Sequence, residues 1–379
     1  MGVNEKTNTC SRKVVILCNN ISSEKSARPE LIDSLKKIYE TVYHGCVFDG
    51  SNHKYFSEKT AICLYIIASR NNINPIVELK SMHSVKKAVK ANKIDSAIVY
   101  GVKNHAAMAI GAKLGGAKRI LCVVNGSGNL FRIGGIKGKI LRLISFPMLW
   151  LAYKCSSAIC FQNEDDKALF IKKRLVKDNE KCFVTGGSGV NLEIFKKQEL
   201  VQDHKFLFLS RITPSKGIVE YVKAAQIVKL KYPESTFDIV GPLDKAVESV
   251  DESLLKNAIE SRTVQYHGAT NDVPSWMAKC RYFVYPSYYP EGVPRCAIQA
   301  IASGRPIITC ATPGCKETVR DGINGFEIPP RDVETLAEKM IWMIEHPETV
   351  TDMANASRMI AEEKFDVNKI NQVLIEKLK

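Results

Sequence analysis

Tyr285-Pro-Ser-Tyr-Tyr-Pro-Glu291-Gly-Val-Pro-Arg-Cys-Ala-Ile-Gln299-Ala-Ile-Ala-Ser-Gly304-Arg-Pro-Ile-Ile-Thr-Cys310 is the stretch of sequence that decides the fold. The apolar run from Tyr282 to Tyr285 predicts a short buried strand. Pro294 is typical of the first position of a helix, and Gly304 is typical of the residue just past a helix end. The stretch is therefore predicted to run strand, loop, helix, strand, with the loop at one edge of a sheet.

This loop and the start of its helix have the chemistry of an anion site. The backbone N–H groups after Glu291 open a helix whose N-terminus carries partial positive charge, so they can bind phosphate oxygens. Glu291 stands just outside the anion site and can accept hydrogen bonds from hydroxyl groups. Gln299 lies one turn beyond Arg295 on the same helical face and can reach a second polar part of one ligand.

The stretch resembles the Glu-x7-Glu signature of the family-four retaining glycosyltransferases, through Glu291, Gly292-Val293-Pro294, Gln299 and the ending Ala302 to Ile308. The resemblance implies an α/β protein of the GT-B fold, in which two Rossmann-like, doubly wound parallel-sheet domains face a cleft. It also implies that the first Glu contacts the donor sugar and the second the ribose hydroxyls. Gln299 stands where the second Glu is usual. An amide can bind a diol, but without the strength of a charged hydrogen bond, so we expect weaker donor binding rather than a different reaction.

Length and composition limit the class of protein. A chain of 379 residues is expected to form two domains of about 180 residues each, and its 45% of hydrophobic residues is enough for two cores. The 12 cysteines show no CxxC pair and no zinc-type spacing, and the start lacks the pattern of a secretion signal. We therefore expect free thiols, a cytoplasmic protein, no metal and no cofactor.

The net charge of +14 predicts an anionic partner: nucleic acid, an acidic membrane face or a phosphorylated substrate. The chain has no RNA-recognition aromatic motif, zinc finger or evident helix-turn-helix sequence, which argues against nucleic acid.

Alternating strand and helix patterns predict a parallel sheet in each of two domains. We expect an acceptor-side domain at 1–186, a nucleotide-sugar domain at 187–360, and a C-terminal helix at 361–379 that packs back on the first domain, as the resemblance implies. Within the first domain the patterns predict a helix over 57–70, a strand near Ile76, and a helix cap formed by Asn163 with Asp166.

Two cations fall at one edge of the second sheet. Arg211 ends a predicted strand and Lys216 begins the next helix, at the edge where α/β proteins collect ligands. A solvated surface pair is the alternative. In the family this pair holds the donor diphosphate, so the resemblance makes Arg211, Lys216 and Glu291 catalytic. It also implies a donor site that comprises Gly292, Val293, Pro294, Arg295, Gln299, Gly241, His267, Gly314 and Glu317.

The acceptor side is expected at strand ends of the first domain. The segments Tyr100 to His105 and Asn125 to Phe131 resemble a subgroup that builds bacterial surface polysaccharides. Many relatives have a histidine near the reaction centre at roughly the place of Asn125, so no catalytic histidine is carried over, and Asn125 and Gly126 are acceptor-side candidates. His105 is a third candidate, because it is expected at the carboxyl end of a strand, where α/β proteins bind ligands. For His105 the alternative is an ordinary residue at a helix start.

Residues 131–154 interleave basic residues with Ile, Leu and Trp. The segment is too broken by Arg142 and Pro147 to span a bilayer of ~30 Å, but it has the residues of an interfacial segment. The alternative is a core helix with a solvated basic edge. We expect a peripheral protein on the inner face of the cell membrane, with an anionic membrane surface as partner.

The sequence thus predicts a retaining, metal-independent glycosyltransferase. It would move a hexose or N-acetylhexosamine from a nucleoside-diphosphate sugar, with UDP as the expected carrier, to a lipid-linked oligosaccharide in bacterial capsule, O-antigen or exopolysaccharide synthesis. Two alternatives stay open at this point: a catalytically impaired membrane-surface or polyanion-binding protein on the same fold, and a UDP-sugar epimerase.

Overall fold

The computed structural model describes residues 12–18, 28–47, 62–67, 75–177, 180–243 and 251–379. The chain divides into two compact units. The first unit comprises residues 1–185 and 368–379, and the second comprises residues 186–367. The segment that returns to the first unit thus begins at Asn368, whereas the sequence places its start at 361.

The first unit is built on a parallel sheet whose described strands follow the order β3-β2-β1-β4-β5-β6-β7. The strands are β1 (Lys13–Leu17), β2 (Thr41–Cys46), β3 (Ile62–Tyr65), β4 (Ser96–Tyr100), β5 (Arg119–Val124), β6 (Ala158–Phe161) and β7 (Cys182–Val184). Neighbouring residues of one strand enter different cores: Val14 and Ile16 pack on one face of the sheet, and Val15 packs on the other. Because both faces are covered, these strands read as continuous apolar runs.

The helices of the first unit cover both faces of this sheet. They are Pro29–Lys36, Pro75–Asn92, Val102–Asn104, Ile110–Gly115, Gly128–Arg132, Gly135–Cys155, Glu164–Lys172 and, from the C-terminus, Val367–Leu378, with a π-helical turn at His105–Ala109. The predicted cap at Asn163 is confirmed, since its side chain accepts a hydrogen bond of 2.7 Å from the N–H of Asp166.

Two local predictions in the first unit are wrong. Ile62–Tyr65, inside the helix predicted over 57–70, is a strand that pairs with β2, and the remainder of that prediction lies largely outside the described residues. Ile76, predicted as strand, lies in the first turn of the helix Pro75–Asn92. Short apolar runs without a clear period are compatible with either structure, and here sheet pairing decides the first of them.

The second unit has a parallel sheet in the order β10-β9-β8-β11-β12-β13. Its strands are β8 (Lys205–Leu209), β9 (Thr236–Val240), β10 (Gln265–Tyr266), β11 (Tyr282–Tyr285), β12 (Ile307–Cys310) and β13 (Gly325–Ile328). Its helices are Ile218–Lys231, Glu252–Glu260, Val273–Lys279, Arg295–Ala302, Val333–Glu345 and Pro347–Lys364, with 3-10 turns at Pro214–Lys216 and Lys316–Thr318.

The strand order reverses direction beside β1 in the first sheet and beside β8 in the second. This is the doubly wound arrangement, in which ligands bind beyond the carboxyl ends of the strands near the reversal. The predicted α/β class with two doubly wound parallel sheets is confirmed.

Candidate active site

The site lies at the carboxyl edge of the second sheet. Since all its strands are parallel, the segments that follow β8, β9, β11 and β12 leave the sheet at the same edge. These segments carry Arg211, Gly241, Glu291 and Gly314, which are four of the residues that the sequence assigns to donor binding or catalysis.

A salt bridge joins two of the three predicted catalytic residues. The Lys216 Nζ lies 2.7 Å from Oε2 of Glu291, and the Lys216 side chain is only 6% exposed. The 3-10 turn Pro214–Lys216 presents the lysine, and Gly217 ends the turn with a φ of +85°. A Cβ at Gly217 would lie 2.2 Å from the carbonyl oxygen of Pro286, so the close contact between this turn and the β11 loop requires glycine.

The other oxygen of Glu291 is bound by neutral donors. The phenol O–H of Tyr285 donates to Oε1 over 2.7 Å, and the Ser287 hydroxyl donates to the same oxygen over 3.3 Å. Burial, reinforced by the charge of Glu291, raises the pKa of Tyr285 well above its usual value, so the phenol keeps its proton and remains a donor. Both oxygens of the carboxylate are therefore fixed.

Two aromatic rings lie close to the ammonium group of Lys216. The Lys216 Nζ lies 4.7 Å from the ring centre of Tyr289 and 5.6 Å from that of Tyr285. Such contacts attract a cation to the face of the ring. Together with Glu291 they hold a buried positive charge at the sheet edge.

The loop that carries Glu291 is tied to its neighbours on both sides. The backbone N–H of Tyr288 donates to the carbonyl of Ser215 over 3.0 Å, and the Thr312 hydroxyl donates to the carbonyl of Ser287 over 3.1 Å. Gly314 has a φ of +82°, and a Cβ there would lie 1.4 Å from the carbonyl oxygen of Gly292. Only glycine permits this approach, which joins the loop after β12 to the loop after β11.

The helix behind Glu291 begins at Arg295, one residue later than predicted. Pro294 has a ψ of 124° and is the capping residue, and its carbonyl accepts a hydrogen bond of 3.1 Å from Ile298. Gly292 and Val293 are buried ahead of it. Arg295 is exposed whereas Gln299 is 8% exposed, so the two side chains do not share a solvent-facing surface as the helical spacing suggested.

Arg211 follows β8, the strand that pairs directly with β11, and its side chain is exposed. The structure therefore places Arg211 at the same edge as the Lys216–Glu291 pair.

Glu317 lies in the 3-10 turn Lys316–Thr318 and is half-buried.

The segments after β9 and β10 contact one another. The Gly241 N–H donates to the carbonyl of Gly268 over 2.7 Å. The His267 Nε2 lies 2.6 Å from Oδ1 of Asp238, and its ring centre lies 4.5 Å from that of Trp276. His267 is thus fixed by an acid and an indole on its own unit.

Two of the three acceptor-side candidates lie at a strand end of the first unit. Asn125 is exposed immediately after β5, and its side-chain carbonyl accepts a hydrogen bond of 3.2 Å from Gln162. Gly126 follows it, half-buried, with a φ of +111°.

His105 does not lie at a ligand-facing surface, because its side chain is completely buried. Its Nε2 lies 3.1 and 3.2 Å from the carbonyl oxygens of Val99 and Val123, and its Nδ1 lies 3.0 Å from the Tyr153 hydroxyl. Burial lowers the pKa of His105 to about 4, so the ring is neutral at physiological pH. These contacts favour the alternative, an ordinary residue at a helix start. No atom of the His105 ring is exposed to a sugar acceptor.

Three contacts of the site were not predicted from the sequence: those of Tyr285, Ser287 and Tyr289 with the Lys216–Glu291 pair. Ser287 stands four residues before Glu291 in the same loop, which is a signal that could have been used. Tyr285 ends an apolar strand, and nothing in its immediate sequence distinguishes it from a core residue.

The following two statements hold for the described ranges of the chain. There, no group of three or more His, Cys, Asp or Glu side chains is arranged to hold a metal ion. None of the helices in those ranges combines the length and the apolar character needed to cross a bilayer.

Comparison with known proteins places this geometry in context. Residues 190–359 match the family model for glycosyl transferases group 1. The chain is 26% identical over 318 residues to the N,N'-diacetylbacillosaminyl-diphospho-undecaprenol alpha-1,3-N-acetylgalactosaminyltransferase of Campylobacter jejuni, covering 80% of this chain and 82% of that protein. It is 27% identical over 285 residues to the UDP-Gal:alpha-D-GlcNAc-diphosphoundecaprenol alpha-1,3-galactosyltransferase of Escherichia coli, covering 71% of each.

A similar fold is found in the crystal structure of Anabaena HepE in complex with UDP. The TM-score is 0.75 at 18% identity, and the match covers 97% of this chain and 99% of HepE. The likeness extends through both units and supports the fold that the sequence predicts.

Proposed function

We propose that the chain is a glycosyl transferase of group 1, the family whose model matches residues 190–359, and that it transfers a hexose or N-acetylhexosamine from a UDP-sugar to a lipid-linked oligosaccharide in bacterial surface-polysaccharide synthesis. The names of both relatives describe sugar transfer to a saccharide on diphosphoundecaprenol, and one of them names a UDP-sugar donor. The observation that carries the proposal is the pair of the buried Lys216 and the half-buried Glu291 at the carboxyl edge of the second sheet.

The donor would be held by its charges and its hydroxyls. Lys216 and Arg211, with the N–H groups that open the helix behind Gly292, would bind the diphosphate and stabilise the charge that develops as it leaves. Glu291 would accept hydrogen bonds from the sugar and orient it. Gln299 would bind the ribose hydroxyls as a neutral amide.

We propose further that the reaction retains the anomeric configuration and needs no metal ion. The acceptor hydroxyl would attack from the face that the diphosphate leaves, and its proton would pass to the departing phosphate. Two cations and a helix N-terminus supply the charge stabilisation that a metal ion would otherwise give. No protein side chain is then required as the base.

A membrane-facing surface fits this acceptor. The helix Gly135–Cys155 exposes a set of apolar side chains that includes Ile136 and Leu143, each 77% exposed, and Trp150. Lys137, Lys139 and Lys154 are exposed on the same helix. Apolar and basic residues together suit the anionic inner face of a cell membrane, so we propose peripheral attachment through this helix.

The proposal is tested by UDP release with a panel of UDP-hexoses and UDP-N-acetylhexosamines, with and without a synthetic diphosphoundecaprenol-linked saccharide. We expect release that depends on the acceptor, is unchanged by EDTA, and yields an α-linked product from an α-linked donor. Conversion of the donor in the absence of acceptor would instead indicate an epimerase, and binding without release would indicate a non-catalytic protein.

The role of Glu291 is tested in the same assay. Glu291→Ala should lower the rate by about 10²-fold or more, because the sugar loses its orienting carboxylate. Glu348→Ala removes an exposed carboxylate of the same unit and should leave the rate unchanged. Full activity of Glu291→Ala would contradict the assignment.

A further inference from the structure

Lys216 has two partners in the mechanism proposed above. Its Nζ lies 2.7 Å from Oε2 of Glu291, and it is also the cation assigned to the donor diphosphate. A diphosphate carries more negative charge than one carboxylate and competes for the same ammonium group. When the diphosphate engages Lys216, Glu291 loses part or all of its hold on that oxygen.

The remaining hold on Glu291 comes from the strand side. Tyr285 donates to Oε1 over 2.7 Å, and Ser287 donates to the same oxygen over 3.3 Å. Both residues are buried, at 1% and 0% exposure. Neither contact uses an atom that the diphosphate would take.

We propose that Tyr285 is a positioning residue for Glu291: its phenol O–H holds the carboxylate in place for the donor sugar while Lys216 is engaged by phosphate, with Ser287 as a second and weaker donor. The inference rests on the proposed function, because it gives Glu291 the sugar and Lys216 the diphosphate. It adds a residue that acts through Glu291 and does not touch the donor.

The setting of Tyr285 suits this role. The residue ends β11, which pairs with β8 on one side and β12 on the other, so its backbone is fixed. Its ring lies 6.4 Å from the rings of Phe208 and Phe283 and belongs to a buried cluster. A hydrogen bond from a rigid, protonated phenol positions a carboxylate more closely than one from a mobile surface group.

The same strand supplies a matched control. Tyr282 is also completely buried, and its O–H donates to the carbonyl of Met343 over 3.2 Å. Tyr282→Phe therefore removes a buried hydroxyl from β11 without removing a contact to Glu291. A purely structural role for Tyr285 predicts equal effects of the two substitutions.

The test compares Tyr285→Phe, Tyr282→Phe and Ser287→Ala with the unaltered chain, using the UDP-sugar that the unaltered chain turns over. Tyr285→Phe should lower kcat by about 10- to 100-fold, since a hydrogen bond to a charged group is lost. Its Kd for UDP should stay within about twofold, because UDP binds through its phosphates and not through Glu291. Ser287→Ala should lower kcat by a smaller factor, and Tyr282→Phe should leave it within about twofold.

A coupling measurement separates positioning from packing. In a Glu291→Gln background, Tyr285→Phe should change the residual rate by less than about threefold, because the carboxylate that it positions is already gone. Far-UV circular dichroism and the Tm of each variant establish that it is folded. Should Tyr285→Phe lower the Tm, all variants are compared at a temperature at which circular dichroism shows each of them to be folded.

The inference is overturned if Tyr285→Phe matches Tyr282→Phe in kcat, or if its loss adds fully to that of Glu291→Gln. Failure of the proposed function is read separately, on the unaltered chain: no UDP-sugar is then turned over with any acceptor, and the inference falls with it.

Discussion

Glu291 is bound by a cation on one oxygen and by neutral hydroxyls on the other. The asymmetry matters because the two kinds of partner respond differently to an incoming phosphate. An ammonium group is drawn to the new charge, whereas a phenol on a buried strand stays where the sheet puts it. On the proposed assignment, the carboxylate can therefore give up Lys216 without losing its position.

The ribose contact proposed for Gln299 can be tested by strengthening it. Gln299→Glu replaces a neutral acceptor with a carboxylate, and a hydrogen bond from a ribose hydroxyl to a carboxylate is stronger by about 1 kcal/mol. We expect the Kd for the UDP-sugar to fall about three- to tenfold, as measured by isothermal titration calorimetry.

The same substitution has a cost in stability. Gln299 is 8% exposed, so a carboxylate there is poorly solvated, and we expect a lower Tm that saturating UDP-sugar partly restores. Gln299→Ala serves as the control and should weaken binding. Unchanged or weaker donor affinity in Gln299→Glu would contradict the assignment of the ribose contact to this position.

At the residue scale, the sequence singled out Lys216 by its place after a predicted strand and Glu291 by its resemblance to a family motif, but it did not predict that the two side chains pair. It did not predict the burial of His105, which depends on Tyr153, 48 positions away. The π-helical turn His105–Ala109 that carries this ring inward is also not evident from residue types. Contacts of that range are set by packing and not by local pattern.

At the scale of single elements, the helix Gly135–Cys155 differs from the other helices described for the first unit in the amount of apolar surface that it exposes. Only Gly138, Leu149, Ala152 and Tyr153 of this helix are buried. The sequence left a core helix and an interfacial helix as alternatives. An exposed apolar face with lysines on the same helix favours the interfacial one.

Vesicle binding tests that assignment. The unaltered chain should co-sediment with vesicles of phosphatidylglycerol and phosphatidylethanolamine, less so at high salt or without the anionic lipid. Ile136→Asp with Leu143→Asp should lower the partition coefficient by about tenfold or more, since two apolar side chains no longer enter the interface.

The control for vesicle binding is Leu230→Asp. Leu230 is 88% exposed on a helix of the second unit, so this change adds a charge without touching the helix Gly135–Cys155. Equal binding by the double variant and by the Leu230→Asp control would show that the lipid surface is contacted elsewhere.

Prediction of single elements was weakest where runs are short. Ile62–Tyr65 has only four residues, and its pairing with β2 decides that it is a strand. In contrast, the stretch from Tyr282 to Cys310 contains proline, glycine and a helical pattern. Its predicted order of strand, helix and strand is observed, and the helix begins one residue later than predicted. Turn and cap residues therefore carried more information than hydrophobicity alone.

At the scale of the whole molecule, each unit owes its core to a parallel sheet covered on both faces, which the alternation of strands and helices predicts. The membership of residues 368–379 in the first unit has no such local signal. The helix Val367–Leu378 buries Ile370, Leu374, Ile375 and Leu378 in a cluster that includes residues of β1 and β4. The helix Val367–Leu378 thus packs in the same core as β1.

This arrangement predicts a large effect of one substitution near the C-terminus. Leu374 is 5% exposed, and Leu374→Ala should lower the stability of the first unit by about 2–5 kcal/mol, the usual range for a buried leucine. Val373, its neighbour in the same helix, is 38% exposed, and Val373→Ala should change stability by about 1 kcal/mol or less. Because two units need not unfold together, hydrogen exchange resolved by peptide is the suitable measurement. In Leu374→Ala, exchange should accelerate at Lys13–Leu17 and Ser96–Tyr100. Lys205–Leu209 of the second unit should keep its protection. Equal acceleration in both sheets would contradict the assignment of this helix to the core of the first unit.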